Sequence, residues 1–268
     1  TRPDHAMLPT LAGQLPLTEP MDQEQIERID AASLDILEEV GVVFRDDIAL
    51  EDWRKAGADV RGERVHLDRG LVKSLIKTIP SEITLHARNP EKTVALGGRQ
   101  SIFIPMTGAP YLRDLEDVRR SPTLDDLATF HKLAHMLPAM HSSAHHIVEP
   151  MDHPISHRHL RITHSSMLYS DKTFMGMTTS GQNAEDVLDM CAILFGEEYL
   201  ETHAVVTGNC NGNSPLVWDE TMLSAMRAFN RRNQPALCSP FVLGGANTPA
   251  STGPTVAQLT AEALSALA

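Results

Sequence analysis

Apolar positions recur with a helical period at the start of the chain and with a strand period further on. Residues 1–20 hold Pro3, Pro9, Pro16 and Pro20 with little periodicity and read as an extended arm. Asp22 then opens a helix, with Gln25 as its capping-box partner. Ile26, Ile29, Ile36, Leu37 and Val40 fall on one face, and Gly41 ends the run. A second helix is expected over about 48–55, stopping at Gly57, and a short strand pair over 60–67, turning at Gly62. Asp68 caps a third helix with Leu71, Val72, Leu75, Ile76 and Ile79 apolar. From Ile83 the period becomes two. Ile83, Leu85 and Ala87, then Val94 and Leu96, then residues 101–105 predict an antiparallel meander turning at Gly97-Gly98 and ending near Arg120.

After Ser121-Pro122-Thr123 the pattern changes again. Helices are expected over 123–137, 155–169, 182–195, 217–232 and 255–268, with short strands near 145–149, 173–177, 203–208 and 235–241. Strand and helix alternating at about 30 residues per unit indicate a parallel α/β sheet. Even spacing without a GxGxxG turn favours a (β/α) barrel over a doubly wound sheet. A (β/α)8 barrel needs about 200–250 residues, and only 146 follow Pro122. The expected fold class is therefore α/β, of (β/α)8 TIM-barrel type and incomplete here at about four βα units. The expected modules are an arm over 1–20, an α+β extension over 21–120 and the first part of a barrel over 121–268, in a chain that is the beginning of a longer protein.

Charge and composition narrow the function. The net charge of −12 and a pI near 5.5 disfavour nucleic acid and anionic membranes as partners. The longest run free of Asp, Glu, Lys and Arg, residues 233–261, carries four prolines and does not read as a membrane span. Cys191, Cys210 and Cys238 form no CxxC, so a cytoplasmic location is expected.

Nine of the thirteen histidines lie between His131 and His164. His153, His157, His159 and His164 include the i,i+4 spacing that suits zinc, but their scatter around a helix and the lack of an HExxH leave no metal expected there. The strand ends carry the more useful chemistry, because a parallel barrel collects its reacting groups at the C-terminal ends of its strands. Glu149 closes one strand, where it can face a cationic substrate or act as a base, or instead cap the next helix or pair with Arg158. Asn209 and Asn211, in an uncharged Asn- and Gly-rich loop, can orient a polar substrate or simply make turns. Ser239 and Phe241 repeat the theme, Phe241 offering a ring face to a quaternary ammonium or packing beneath its loop. Cys210 lacks a partner histidine motif for nucleophilic work.

Several stretches together resemble the trimethylamine methyltransferase family: 22–43 (DQEQIERIDAASLDILEEVGVV), 85–90 (LHARNP), Gly108-Ala109-Pro110, 149–176, Ser214-Pro215-Leu216 and Ser239-Pro240-Phe241. The resemblance runs from about Met21 to Ala268. It implies a (β/α)8 barrel with an N-terminal extension. It also implies transfer of a methyl group from a tertiary or quaternary amine, such as trimethylamine or glycine betaine, to the Co(I) of a corrinoid held by a separate protein. No tightly bound cofactor of the chain's own is implied; the partners are a small methylated amine and the corrinoid (cobalamin) protein, and a homo-oligomer is expected. The pyrrolysine position of archaeal members would lie beyond Ala268. Met106-Thr107 stands where many relatives have Gly-Tyr before Gly-Ala-Pro, which puts a pocket contact in doubt. With this resemblance Glu149, Asn209, Asn211, Ser239 and Phe241 become the expected substrate-binding residues, and no catalytic residue is assigned. The alternatives are a non-catalytic amine- or betaine-binding barrel and a generic barrel hydrolase or lyase.

Overall fold

The structure, a computed structural model, describes residues 6–13 and 18–268. Part of the expected arm lies outside the described residues; within it, β1 (Leu11–Ala12) is a short strand. The first helix, α1 (Gln23–Asp35), starts as expected: Asp22 accepts from the Gln25 backbone at 2.8 Å, and Gln25 Oε1 accepts from the Asp22 backbone at 3.1 Å. It runs into a π-helical turn over Ile36–Val40 and stops at Gly41, whose φ of 73° and close approach to the Val65 carbonyl leave no room for a Cβ. Then come β2 (Val42–Arg45), α2 (Asp47–Ala56), β3 (Asp59–Arg61), β4 (Arg64–His66) and α3 (Arg69–Ile76). The middle of the chain forms β5 (Glu82–Leu85), β6 (Val94–Gly97), β7 (Gln100–Ser101), β8 (Leu112–Arg113) and β9 (Arg119–Arg120). The remaining elements are α4 (Leu124–Met136), α5 (Ile155–Tyr169), β10 (Phe174–Met175), α6 (Gly181–Phe195), α7 (Glu197–Thr202), β11 (Val206–Gly212), β12 (Val217–Asp219), α8 (Glu220–Arg231), β13 (Ala236–Pro240) and α9 (Thr252–Leu267).

These elements assemble into two compact units that interleave in sequence. Of the described residues, one collects 18–80, 209–226 and 237–268; the other collects 6–13, 81–208 and 227–236. Each therefore draws on segments from both sides of residue 120.

The first of these units is built on a four-stranded sheet of order β12-β2-β4-β3. β12 joins β2 in parallel, Trp218 opposite Phe44, while β2, β4 and β3 pair antiparallel. Leu37, Val42, Phe44, Val65, Leu67, Val72 and Trp218 form its core, and α9 adds Ala261. The helix expected over 217–232 is thus corrected at its start. Asp219 accepts from the Met222 backbone at 2.9 Å, so the helix begins at Glu220 and leaves Val217 and Trp218 to the sheet.

In the other unit β5 and β6 form the expected hairpin, Ile83 opposite Leu96. The meander does not continue, because β7 turns away to pair with β1, Leu11 opposite Ser101. The strand expected near 145–149 is reduced to isolated parallel bridges, Ser142 with Thr173 and Ala109 with Val148. Sequence reading also missed α7, which follows the break at Gly196. β10 and β11 run parallel, Phe174 opposite Val206 and Met175 opposite Thr207, and Gly208 donates to the Pro235 carbonyl at 2.9 Å. The strand order is β10-β11-β13, of which residues 209–212 of β11 and 237–240 of β13 belong to the β2-sheet unit, and no closed barrel occurs among the described residues. Close packing of the Phe229 ring requires glycine here: a Cβ on Gly176 would lie 2.9 Å from Phe229 Cζ and from Val187 Cγ1, and one on Gly208 would lie 3.2 Å from Phe229 Cδ2.

A buried lysine ties α4 to the strand that follows α5. Lys172, 2% exposed, donates from Nζ to the carbonyls of Ala134, Leu137 and Met140 at 2.8, 2.8 and 2.6 Å. Those carbonyls lie at and beyond the C-terminal end of α4, where helical partners run out and the dipole favours a cation. Next to it, Lys92 Nζ meets Asp171 Oδ1 at 2.5 Å.

Candidate functional site

Four of the five expected substrate-binding residues lie in the unit built on the β2 sheet. Strand geometry alternates side chains, and β11 uses the alternation sharply. Cys210 and Gly212 are buried, whereas Asn209 is half-buried and Asn211 exposed. Gly212 lies against Trp218, a Cβ there reaching Cζ2 at 3.3 Å. On the neighbouring β13, Cys238 packs against the core and its Sγ approaches the Ala266 carbonyl at 3.9 Å. Ser239 and, just past the strand, Phe241 point away from that core. Phe241 is 72% exposed, so its ring does not pack beneath its loop. Asn209, Asn211, Ser239 and Phe241 therefore occupy the non-core side of their strands, an uncharged face with amide, hydroxyl and aromatic groups.

The thiols on the opposite face are inert. Burial pushes Cys210 up to about 12, with Cys238 as a second cause, and burial pushes Cys238 up to about 11. Both are protonated at neutral pH, and neither can act as a thiolate nucleophile there.

Glu149 lies in the other unit. Its backbone N–H donates to the Ala109 carbonyl at 3.0 Å, which sets the Gly108-Ala109-Pro110 segment beside the 145–149 stretch. Its carboxylate does not stand open to a cation: Arg158 Nη1 donates to Oε1 at 2.7 Å, and Arg158 is fixed in turn by the His153 carbonyl. On the other side His146 Nε2 lies 4.0 Å from Glu149 Oε2. Burial lowers the basicity of both His145 and His146, so the pair is neutral at pH 7. Their Nδ1 atoms share a hydrogen bond. A carboxylate facing His146 Nε2 favours the tautomer protonated there, which makes His145 the Nδ1–H donor and leaves the buried His145 Nε2 as an acceptor without a partner.

The other histidines divide by environment. His131, fully buried, bonds the Ser165 hydroxyl at 2.9 Å and the His145 carbonyl at 2.7 Å. His159 turns inward to Asp186 at 2.7 Å, whereas His157 and His164 line a surface hollow with Arg161 and Met190. No group of three or more His, Cys, Asp or Glu that could hold a metal ion occurs among the described residues. No helix of the described residues is long and apolar enough to cross a membrane.

A groove of about 690 Å³ in the β2-sheet unit lies between α1 and the start of α9, lined among others by Met21, Ile29, Ile36, Val256 and Ala257. None of the expected substrate residues lines it. Sequence reading missed Glu262, which is 1% exposed and grips the loop after β11. It is the only charged residue in α9, and that isolation was the available signal.

The trimethylamine methyltransferase family (MTTB) matches residues 1–268. The chain is 39% identical over 254 residues to a glycine betaine methyltransferase of Desulfitobacterium hafniense (strain Y51), covering 94% of this chain and 53% of that protein. It is 26% identical over 201 residues to the trimethylamine methyltransferase MttB of Desulfitobacterium hafniense (strain DSM 10664 / DCB-2), covering 72% of this chain and 40% of that one. It is also 26% identical over 223 residues to a proline betaine:corrinoid methyltransferase of Eubacterium limosum, covering 78% and 45%. The chain thus spans about half the length of these relatives. In fold it is similar to the monomethylamine methyltransferase MtmB of Methanosarcina barkeri, with a TM-score of 0.62 at 13% identity over 92% of this chain and 51% of that one. The chain belongs to the trimethylamine methyltransferase family.

Proposed function

We propose that the protein carrying this chain takes a methyl group from a quaternary amine of the glycine betaine class and passes it to the Co(I) of a corrinoid on a separate protein. The observation that carries this reading is the 39% identity to a glycine betaine methyltransferase across 94% of the chain, against 26% to a trimethylamine enzyme. The similarity to the proline betaine:corrinoid methyltransferase of Eubacterium limosum supports a corrinoid acceptor. The likeness to MtmB supports reading the β10-β11-β13 sheet as the first part of a (β/α)8 barrel.

The chemistry suits an uncharged face. The corrinoid supplies the nucleophile, so the chain needs none of its own. The C–N bond breaks with its electron pair staying on nitrogen, and the ammonium becomes a neutral tertiary amine. No proton has to move. The protein's task is to hold the N-methyl group in line and exclude water. In this reading Asn209, Asn211 and Ser239 orient the substrate by hydrogen bonds, and the Phe241 ring face meets the cation, contributing about 0.5–2 kcal/mol. Glu149 is a carboxylate placed by Arg158, and its charge is tested separately by substitution.

Calorimetric titration of the full-length protein tests the substrate class. Glycine betaine is expected to bind at least about tenfold tighter than its neutral-headed isostere 3,3-dimethylbutanoate, a difference of about 1.4 kcal/mol. Equal affinities would remove cation recognition from the account.

A further inference from the structure

We infer that Glu262 is a positioning residue that sets the Asn-bearing end of β11 from beneath. Three donors converge on its carboxyl group: the Ser214 hydroxyl on Oε2, the Leu216 backbone N–H on Oε1 at 3.0 Å, and Gln258 Nε2 on Oε1 at 2.8 Å. An all-donor set is what a carboxylate accepts. Among the described residues no Lys, Arg or His lies within ion-pair distance of it, and it is 1% exposed. Burying such a group costs stability unless it is fully hydrogen-bonded. At a buried position of α9 an apolar residue would pack without that cost, so the contacts of Glu262 call for a reason.

The reason lies in the backbone it grips. Leu216 has a φ of 57°, a left-handed conformation that a branched side chain rarely adopts and that persists only where its surroundings over-determine it. Glu262 holds the Leu216 N–H, and the Leu216 carbonyl accepts from Val43 at 2.9 Å. Immediately beyond, Trp218 Nε1 donates to Ser265 at 3.1 Å, and Ser265 donates to the Glu262 carbonyl at 2.7 Å. Upstream, Asn213 donates to the Val217 carbonyl at 2.8 Å, which closes the loop back onto the end of β11. The segment from Asn213 to Trp218 is thus pinned by α9 on one side and β2 on the other, and Asn211 stands two residues from the pinned loop. Glu262 acts on a substrate through Asn211, not by touching it.

This inference rests on the proposed role of Asn209 and Asn211, and its test separates the two. In full-length protein, amide hydrogen exchange is measured for residues 209–218 and for β2 and β4 in wild type, Glu262→Gln, Glu262→Leu and Ser214→Ala. Glu262→Leu is expected to lose about tenfold in protection at 209–218 and to weaken glycine betaine about tenfold, with β2 and β4 unchanged. Glu262→Gln, which keeps an acceptor for Leu216, is expected to restore both. Ser214→Ala, which removes one donor from outside α9, falls between. Unchanged protection in Glu262→Leu, loss spread evenly over β2 and β4, or a loosened loop with unaltered betaine affinity would overturn the inference. A wild-type protein that binds no methylated amine would instead overturn the proposed function, while the exchange data still judge the grip.

Discussion

Arg158 donates to Glu149 at 2.7 Å from a side chain that is itself only 15% exposed, so the carboxylate that closes the 145–149 stretch reaches any ligand already paired. Removing one partner of this half-buried pair leaves the other charge unmatched, which costs stability. Glu149→Gln should destabilise the fold by about 2–4 kcal/mol in chemical denaturation. If its charge also serves a cationic substrate, the same change weakens glycine betaine more than 3,3-dimethylbutanoate. Equal weakening of the two would confine Glu149 to the ion pair.

Phe241 allows a cleaner separation, because a ring that is 72% exposed contributes little to the core. Phe241→Ala is expected to leave the melting temperature within about 2 °C. It should weaken betaine binding by about 0.5–2 kcal/mol. A Phe241→Ala protein with unchanged betaine affinity would remove the ring from the site.

Much of the helical framework was legible in the sequence because caps announce themselves. Asp22 with Gln25 and Thr123 with Asp126 form capping boxes, and Ile155–Tyr169 begins just after Pro154. What was not legible is pairing between distant segments. Val217 and Trp218 fit a helical stripe with the residues after them, and nothing local says that they add to β2 across some 170 residues. Leu11 and Ala12 likewise carry no sign of their pairing with β7. For the site, the sequence reads a strand over 203–208 and then a loop, whereas β11 runs on through Gly212, and the side that Asn209 and Asn211 take depended on knowing that Cys210 and Gly212 face the core. The pairing of Glu149 with Arg158 was one of several open readings, since a spacing of nine residues across a turn favours none of them.

Gly176→Ala tests the packing of the other unit. Its Cβ would lie 2.9 Å from Phe229 Cζ, well inside van der Waals contact. The change should cost about 1–3 kcal/mol, measured as a shift in the urea midpoint. Adding Phe229→Leu should recover part of that loss, because the shorter side chain vacates the space. A purely additive double mutant would contradict direct contact.

Below pH 5, Asp126 and Asp171 should add to the acid sensitivity that the buried neutral His131, His145 and His146 already contribute from near pH 6.5 downward. Hydrogen bonding to Arg120 holds Asp126 well below the usual carboxylate range despite partial burial. For Asp171, burial alone would raise the value, but the Lys92 hydrogen bond and charge outweigh it and lower it. Folded-state values below the unfolded one mean that the unfolded chain binds more protons in this window. Their stabilisation is therefore full above about pH 4 and is lost as pH falls toward the folded values. Urea unfolding between pH 5 and pH 3 should show stability falling with pH, and Asp126→Asn should flatten that slope. A slope unchanged in Asp126→Asn would assign the acid limb to other groups.

Methyl transfer from betaine to cobalt is the reaction to measure. The full-length protein, a reduced corrinoid protein and glycine betaine are combined, and the cobalt absorbance is followed alongside the amine product. Betaine-dependent loss of the Co(I) signal is expected, with an equal amount of dimethylglycine formed and a smaller or absent response to trimethylamine. Intact Co(I) and undemethylated betaine, trimethylamine and proline betaine would contradict the proposed function.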